Sequence, residues 1–125
     1  MILVDSHGWI EYFGEGPLAD DYSAFIEKTD EEGTVTPTIV IYEVYKKIKS
    51  VRGEEKALEA YVHMLRTRIV DLTDSLYMEA ADISMNLDLG MADSIIAATA
   101  KAYNAQIVTC DKHLRNVENV NFISR

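Results

Sequence analysis

The sequence has few of the residues that cross-link, kink or anchor a polypeptide chain. It contains one cysteine, Cys110, with six glycines and two prolines in 125 residues. A single cysteine excludes an internal disulfide bond, which is typical of a protein from a reducing compartment. No apolar run approaches the ~18 residues that cross a bilayer, and the first residues lack the pattern of a signal peptide. We therefore expect a soluble cytoplasmic protein that does not associate with membranes.

Positive charge is also scarce, because 12 Lys and Arg residues stand against 21 Asp and Glu residues, for a formal net charge of -9. This balance argues against a broad basic face that holds nucleic acid. The acidic stretch 20–32 is interpreted as solvated surface. The bases are grouped in two clusters, one of Lys46, Lys47, Lys49 and Arg52 and the other of Lys112, His113 and Arg115. A nucleic-acid ligand would therefore have to meet local basic patches.

The order of apolar patterns predicts a single α/β domain over residues 1–125. Hydrophobic residues make up 48% of the chain, which is enough for a core, and no repeat, low-complexity tract or long linker divides it. Short apolar runs such as 2–4 and 106–110 alternate with stretches of helical spacing. Short, apolar strands that alternate with helices are typical of a parallel sheet covered on both faces. We expect a three-layer α/β/α sandwich with a central, mainly parallel sheet.

Two local expectations concern the middle of the chain. Pro37 fits the first turn of a helix, where its missing N–H is not needed. A following helix carries an apolar stripe that we expect to face the core, formed by Ala57, Leu58, Tyr61 and Leu65.

Two acidic residues stand where predicted strands end. Asp5 follows the run Ile2-Leu3-Val4, and Asp111 follows 106–110. In an open parallel sheet the ligand site lies beyond the carboxyl ends of the strands, so both are candidate site residues. Each also has an ordinary explanation, because aspartate between a strand and a helix is a favoured N-cap.

Two further carboxylates fall in predicted helices. Asp93 lies in the first turn of a helix, where the helix dipole favours negative charge. Glu43 lies inside a helix, where capping does not explain it, and the alternative is an exposed pair with Lys47. If the four acids meet at one edge, each like-charge pair about 4 Å apart is repelled by ~4 kcal/mol at an effective dielectric of 20, so the cluster requires a cation. Oxygen ligands favour Mg²⁺ or Mn²⁺.

Four segments carry a resemblance to a known family. They are Val4-Asp5-Ser6, then Pro37-Thr38-Ile39-Val40-Ile41-Tyr42-Glu43-Val44, then Ala92-Asp93-Ser94-Ile95-Ile96-Ala97-Ala98-Thr99-Ala100, and Thr109-Cys110-Asp111-Lys112-His113-Leu114. In order, spacing and surrounding residues, they resemble the motifs of PIN domains, particularly those of the VapC toxins of toxin–antitoxin pairs. The resemblance extends over nearly the whole chain.

The resemblance implies a function and a set of site residues. It implies hydrolysis of single-stranded or looped RNA with Mg²⁺ or Mn²⁺, inhibition by a small antitoxin protein, and a homodimer. By position, Asp5, Glu43 and Asp93 match the three main acids of the family, and Asp111 matches a more variable fourth. Ser6 and Thr109 match supporting hydroxyl positions. Lys46, Lys47 and Arg52 are candidates for contacts with RNA phosphates, and the alternative for each is a solvated helix face.

Three alternatives remain open from the sequence. A phosphorelay receiver domain has a similar length and Mg²⁺-binding carboxylates at strand ends, but receivers carry paired acids after the first strand, whereas Asp5 is followed by Ser6. The other two are a PIN domain that binds without cutting and a PIN nuclease that matures ribosomal RNA.

Overall fold

Strands and helices alternate along much of the chain in the computed structural model, which describes residues 1–124. The strands are β1 (Ile2–Val4), β2 (Val35–Pro37), β3 (Arg68–Val70), β4 (Gln106–Thr109) and β5 (Val120–Phe122). The helices are α1 (Ser6–Phe13), α2 (Ala19–Ile26), α3 (Thr38–Arg52), α4 (Glu54–Met64), α5 (Asp74–Leu87) and α6 (Met91–Tyr103), and a 3₁₀ helix spans Lys112–Leu114.

Every strand pairing in residues 1–124 is parallel. Strand β4 lies between β1 and β5, while β2 pairs with β3. A single parallel bridge between Ile2 and Thr34 joins the two groups of strands. The strand order is therefore β3-β2-β1-β4-β5, and the carboxyl ends of β1, β2 and β4 lie at the same edge.

The helices fall into two groups around these strands. Helix α1 packs against α2, α3 and α4, whereas α5 packs mainly against α6. Helix α6 also contacts β1, β2 and β4, and seven consecutive residues from Ser94 to Ala100 are buried. This arrangement confirms the expected α/β/α fold. No helix in residues 1–124 is long and apolar enough to span a bilayer.

The buried face of α4 differs from the predicted one. Helix α4 buries Ala57, Ala60 and Met64, whereas Leu58 and Leu65 remain 46% and 45% exposed. Of the predicted stripe, Ala57 is buried as expected, whereas Leu58, Tyr61 and Leu65 are exposed. The two alanines on the inner face let α4 pack closely against α3. Pro37 also lies one position earlier than predicted, since it ends β2 and is the N-cap residue of α3 rather than part of its first turn.

The start of α1 is held close to its neighbours by a glycine. A Cβ atom at Gly8 would lie 2.5 Å from the Tyr22 ring and 2.6 Å from a methyl group of Val4. Tyr22 and Val4 are both almost fully buried, so neither can move easily. The absence of a side chain at Gly8 therefore allows α1 to begin directly beside the end of β1.

Candidate metal centre

Asp5 lies between β1 and α1, and its side chain is 1% exposed. Its Oδ1 accepts a hydrogen bond of 3.0 Å from the backbone N–H of Gly8, so Asp5 is the N-cap of α1. Its Oδ2 accepts a hydrogen bond of 2.5 Å from the Thr109 hydroxyl at the end of β4. Each carboxylate oxygen has a further lone pair, so capping leaves Asp5 able to bind a cation.

Burial raises the pKa of Asp5 from its ordinary value to about 6. The hydrogen bonds from Thr109 and Gly8 and the nearby His7 favour the charged form, while the negative charge of Asp111 opposes it. Near neutral pH the folded protein therefore holds a buried carboxylate that is costly to ionise without a cation.

Glu43 is brought to the same place by the second turn of α3. Its Oε1 accepts a short hydrogen bond from the Ser6 hydroxyl, and Ser6 is the first residue of α1. Ser6 is buried and Glu43 is partly buried. The Ser6 hydroxyl thus orients the carboxylate of Glu43, the one candidate acid that is not at the start of a helix.

Asp93 and Asp111 interact with each other across the site. Burial, the negative charge of Asp111 and a hydrogen bond to Asp111 together raise the pKa of Asp93 to about 6. Partial burial of Asp111 opposes its ionisation, but the His113 backbone N–H, the hydrogen bond with Asp93 and the two nearby histidines outweigh it and hold the pKa of Asp111 below its usual value. At acidic pH the metal-free protein therefore retains a proton on this pair of carboxyl groups.

Two histidines approach Asp111, and neither was predicted to belong to the site. His113 Nδ1 lies 3.0 Å from Asp111 Oδ1, and His7 Nε2 lies 3.6 Å from Asp111 Oδ2. One ligand atom each from Asp93, Asp111 and His113 lies within 4.8 Å of the others. Both histidine side chains are mostly exposed. Only their place in sequence, two residues after a candidate acid, could have marked them.

Three of the four acids line an open groove of about 480 Å³. Its walls include Asp5, Glu43 and Asp93 together with Ser6, His7, Ile10, Tyr42, Lys46, Lys47, Ser50 and Ile96. Lys46 and Lys47 therefore stand in the same groove as these acids.

Arg52 does not line this groove, although the sequence suggested it as a contact for RNA phosphates. Its guanidinium donates a hydrogen bond of 2.7 Å to the Gly14 carbonyl and lies 3.6 Å from Glu15. Arg52 is the last residue of α3, almost two turns beyond Lys46, and these contacts direct its side chain to the end of α1.

The donor set fits a hard divalent cation. Burial and neighbouring negative charge raise the pKa of both Asp5 and Asp93, so a positive charge beside them would be favourable. Carboxylate oxygens are the ligands that Mg²⁺ and Mn²⁺ prefer. Asp5, Glu43, Asp93 and Asp111 would hold such an ion, directly or through water, and its charge would relieve the repulsion between them.

The stability of the metal-free protein is expected to fall as pH rises from about 4 to about 7. Asp5 and Asp93 have a pKa of about 6 in the folded protein, against an ordinary value near 3.9 when unfolded. Over this range the folded state binds more protons than the unfolded state, so the free energy of unfolding decreases with rising pH. Urea denaturation in EDTA at several pH values measures it. A free energy of unfolding that rises with pH over this range would contradict the assignment.

Replacing Thr109 by valine is expected to lower both the stability of the protein and its affinity for a metal ion. The Thr109 hydroxyl donates to Asp5 and also accepts a hydrogen bond of 2.9 Å from the Asp111 N–H. Loss of such contacts costs about 1.5–3 kcal/mol of stability and about 10–100-fold in metal affinity. Thr109→Ser keeps the hydroxyl and should retain both properties in Mn²⁺ calorimetry and urea denaturation. If valine and serine behaved alike, the hydroxyl would have no supporting role.

Solved structures with the same fold include proteins of toxin–antitoxin systems. The chain is similar to a chain of a toxin–antitoxin complex from Klebsiella pneumoniae, with 19% identity, a TM-score of 0.78 and coverage of 97% of this chain and 96% of that one. It is also similar to VapC20 of Mycobacterium tuberculosis, a toxin that cleaves the sarcin-ricin loop, with 17% identity, a TM-score of 0.72 and 85% of each chain covered. A third similar structure is VapBC2 of Rickettsia felis bound to a DNA fragment from its promoter, with 17% identity, a TM-score of 0.72 and 98% of each chain covered.

The sequence itself identifies the family. No curated protein matches the chain. The PIN domain family, however, matches residues 2–120, a span that contains all four acids and both supporting hydroxyls. This match rules out the alternative of a phosphorelay receiver domain. The chain belongs to the PIN domain family.

Proposed function

We propose that this protein is a metal-dependent endoribonuclease and the toxin of a type II toxin–antitoxin pair. The observation that carries the proposal is the convergence of Asp5, Glu43 and Asp93 on one groove, with a carboxylate oxygen of Asp111 within 4.8 Å of one of Asp93. Family membership and the similarity to toxin structures support the same assignment. RNA is the proposed substrate, and Mg²⁺ or Mn²⁺ the proposed cofactor.

The chain's own residues prepare the site for an ion. Thr109 and the Gly8 N–H fix the two oxygens of Asp5, and Ser6 fixes Glu43. At acidic pH a cation would have to displace the proton that Asp93 and Asp111 share. Bound Mg²⁺ or Mn²⁺ would supply an activated water and neutralise the charge that builds on the scissile phosphate.

Two lysines of the groove suit the nucleic-acid backbone. Lys46 and Lys47 line the groove with the acids, and we assign them to phosphates flanking the cut. They provide local positive charge for binding phosphates in a protein whose net charge is -9. The acids would hold the reacting phosphate through the ion, while the lysines hold its neighbours.

A protein partner is supported by a surface away from the metal centre. Leu58 and Val62 on α4, and Leu65 directly after it, are 46%, 56% and 45% exposed. Exposed apolar side chains on one helix are typical of an interaction surface. We propose a small antitoxin as a partner, a homodimer as the assembly and the cytoplasm as the location.

Incubation of total RNA with the purified protein tests the enzymatic part of the proposal. With Mg²⁺ or Mn²⁺ we expect new RNA ends, which can be mapped by primer extension, and with EDTA we expect none. Cleavage that persists in EDTA would remove the role of the metal. A lack of cleavage with every metal, although the protein binds RNA, would favour a non-catalytic PIN domain.

The toxin role has a separate test. A toxin is expected to stop growth when expressed alone and to be tolerated when co-expressed with the product of a short reading frame immediately upstream. An RNA-processing nuclease would instead be tolerated alone. The Asp5→Asn variant is the control, because a toxin without its metal centre should not stop growth.

A further inference from the structure

An exposed aromatic ring stands on the wall of the groove, and the chemistry above does not use it. Tyr42 precedes Glu43 on α3 and lines the groove with it, yet its side chain is 59% exposed. Most of its apolar ring therefore meets water rather than the core. The exposed ring can therefore contact a ligand that binds in the groove beside the acids.

A cation lies over one face of this ring. Lys46 Nζ is 5.6 Å from the centroid of the Tyr42 ring, one helical turn further along α3. Lys46 also lines the groove. The ammonium group covers one face of the ring, and the exposed remainder of the ring leaves its other face for a base, with the ammonium group close enough to meet the phosphate of the same strand.

A second helix supplies apolar surface to the groove. Ile10 from α1 is partly exposed and lines the groove together with Tyr42, while Ile96 from α6, only 1% exposed, lies behind them as part of the core. A groove built only to hold phosphates has no need of such residues, whereas a nucleobase is flat and weakly polar. The mixture of a ring, an isoleucine and lysines favours binding of a whole nucleotide.

We propose that Tyr42 stacks on an unpaired nucleobase of RNA bound in the groove, with Lys46 at an adjoining phosphate. This inference rests on the proposed ribonuclease function and adds a substrate-binding residue to it. Because both faces of a base are covered in a duplex, an aromatic ring selects nucleotides from single strands and loops. Tyr42 thereby restricts the substrate to unpaired RNA without reading a particular base.

Stacking can be measured directly with a fluorescent base. The probe is a single-stranded RNA of about ten nucleotides, enough to fill a single-strand binding site, that carries 2-aminopurine, a base whose fluorescence is quenched on stacking. The protein background is Asp93→Asn with Mg²⁺, so that the probe is not cut. We expect quenching on binding, and we expect Tyr42→Ala to abolish the quenching and weaken affinity about 5- to 100-fold.

Two further variants separate stacking from other effects. Tyr42→Phe keeps the ring and should retain both quenching and affinity within about twofold, since stacking needs no hydroxyl. Tyr77→Ala removes a tyrosine of similar exposure, 56%, from α5 and should change neither. If Tyr42→Phe behaved like Tyr42→Ala, or if the alanine variant still quenched and bound like its parent, stacking on Tyr42 would be overturned.

The role of Lys46 has its own readout in the salt dependence of binding. Lys46→Gln is expected to lower the slope of log affinity against log salt by about 0.7, the value for one phosphate of a single strand. An unchanged slope would overturn the phosphate contact.

Failure of the inference differs from failure of the proposed function. If the wild-type protein cuts RNA but Tyr42→Ala cuts and binds single strands equally well, only the stacking proposal falls. If the wild-type protein neither binds nor cuts RNA, the ribonuclease assignment falls and takes the stacking proposal with it.

Discussion

The Asp5→Asn variant is expected to lose RNA cleavage, by about 1,000-fold or more on the scale of removing a transition-state interaction, without losing stability. Asparagine is as good an N-cap as aspartate, so the bond from Gly8 can be kept. What disappears is a buried charge whose pKa is raised to about 6. In EDTA near neutral pH, the free energy of unfolding should equal that of wild type or exceed it by up to about 3 kcal/mol.

The matched control is Asp82→Asn, which removes the same charge from an exposed position on α5. It should leave both cleavage and stability unchanged. If Asp5→Asn lowered the melting temperature and the activity together, the main role of Asp5 would be capping, and the acid would not belong to a reactive centre.

Manganese is expected to stabilise the wild-type protein strongly, and more so at higher pH. A ligand at about one hundred times its dissociation constant adds about 2.7 kcal/mol, which for a domain of this size raises the melting temperature by about 8 °C. The effect should be small at about pH 5, where Asp5 and Asp93 are largely protonated, and large at about pH 7.5, where the ion competes with few protons. Thermal denaturation with increasing Mn²⁺ at the two pH values measures it.

Calcium and EDTA serve as controls for this titration, since a hard divalent ion should stabilise the protein and a chelator should reverse the shift. A flat titration of the wild-type protein at the higher pH would mean that the carboxylates share no ion. Equal shifts at both pH values would mean that the ion binds away from Asp5 and Asp93.

The sequence indicated the place of Asp5 and Asp111 well, because a residue after a short apolar strand has only one edge of a parallel sheet to occupy. From the sequence, helix capping and metal binding were alternative roles for Asp5. In the structure, capping of α1 by Asp5 is compatible with metal binding. Asp5 caps α1 through Oδ1, and its Oδ2 faces Thr109. One carboxylate can take both roles because its two oxygens point to different partners.

Other features depend on distances between helices, which a sequence pattern does not contain. Arg52 lies close to Lys46 and Lys47 in sequence, yet it is held at the end of α1 by the Gly14 carbonyl. The contact between His113 and Asp111 is local, and it forms because Asp111 caps the short 3₁₀ helix that contains His113.

The inner face of α4 was mispredicted for a related reason. Helical spacing suggested that Leu58, Tyr61 and Leu65 point inward with Ala57, but only Ala57 of this stripe is buried. Ala60 and Met64 complete the inner face instead. Periodicity located the helix, while the available space decided which face it buries.

Mn²⁺ calorimetry on variants that neutralise one acid at a time tests most directly whether distant carboxylates share an ion. We expect the wild-type protein to bind Mn²⁺, and we expect Asp82→Asn to leave this binding unchanged. Binding should weaken by about tenfold or more in each of Asp5→Asn, Glu43→Gln, Asp93→Asn and Asp111→Asn. Binding that survives in Glu43→Gln and Asp93→Asn, or that is equally weakened in Asp82→Asn, would contradict a shared site at the groove.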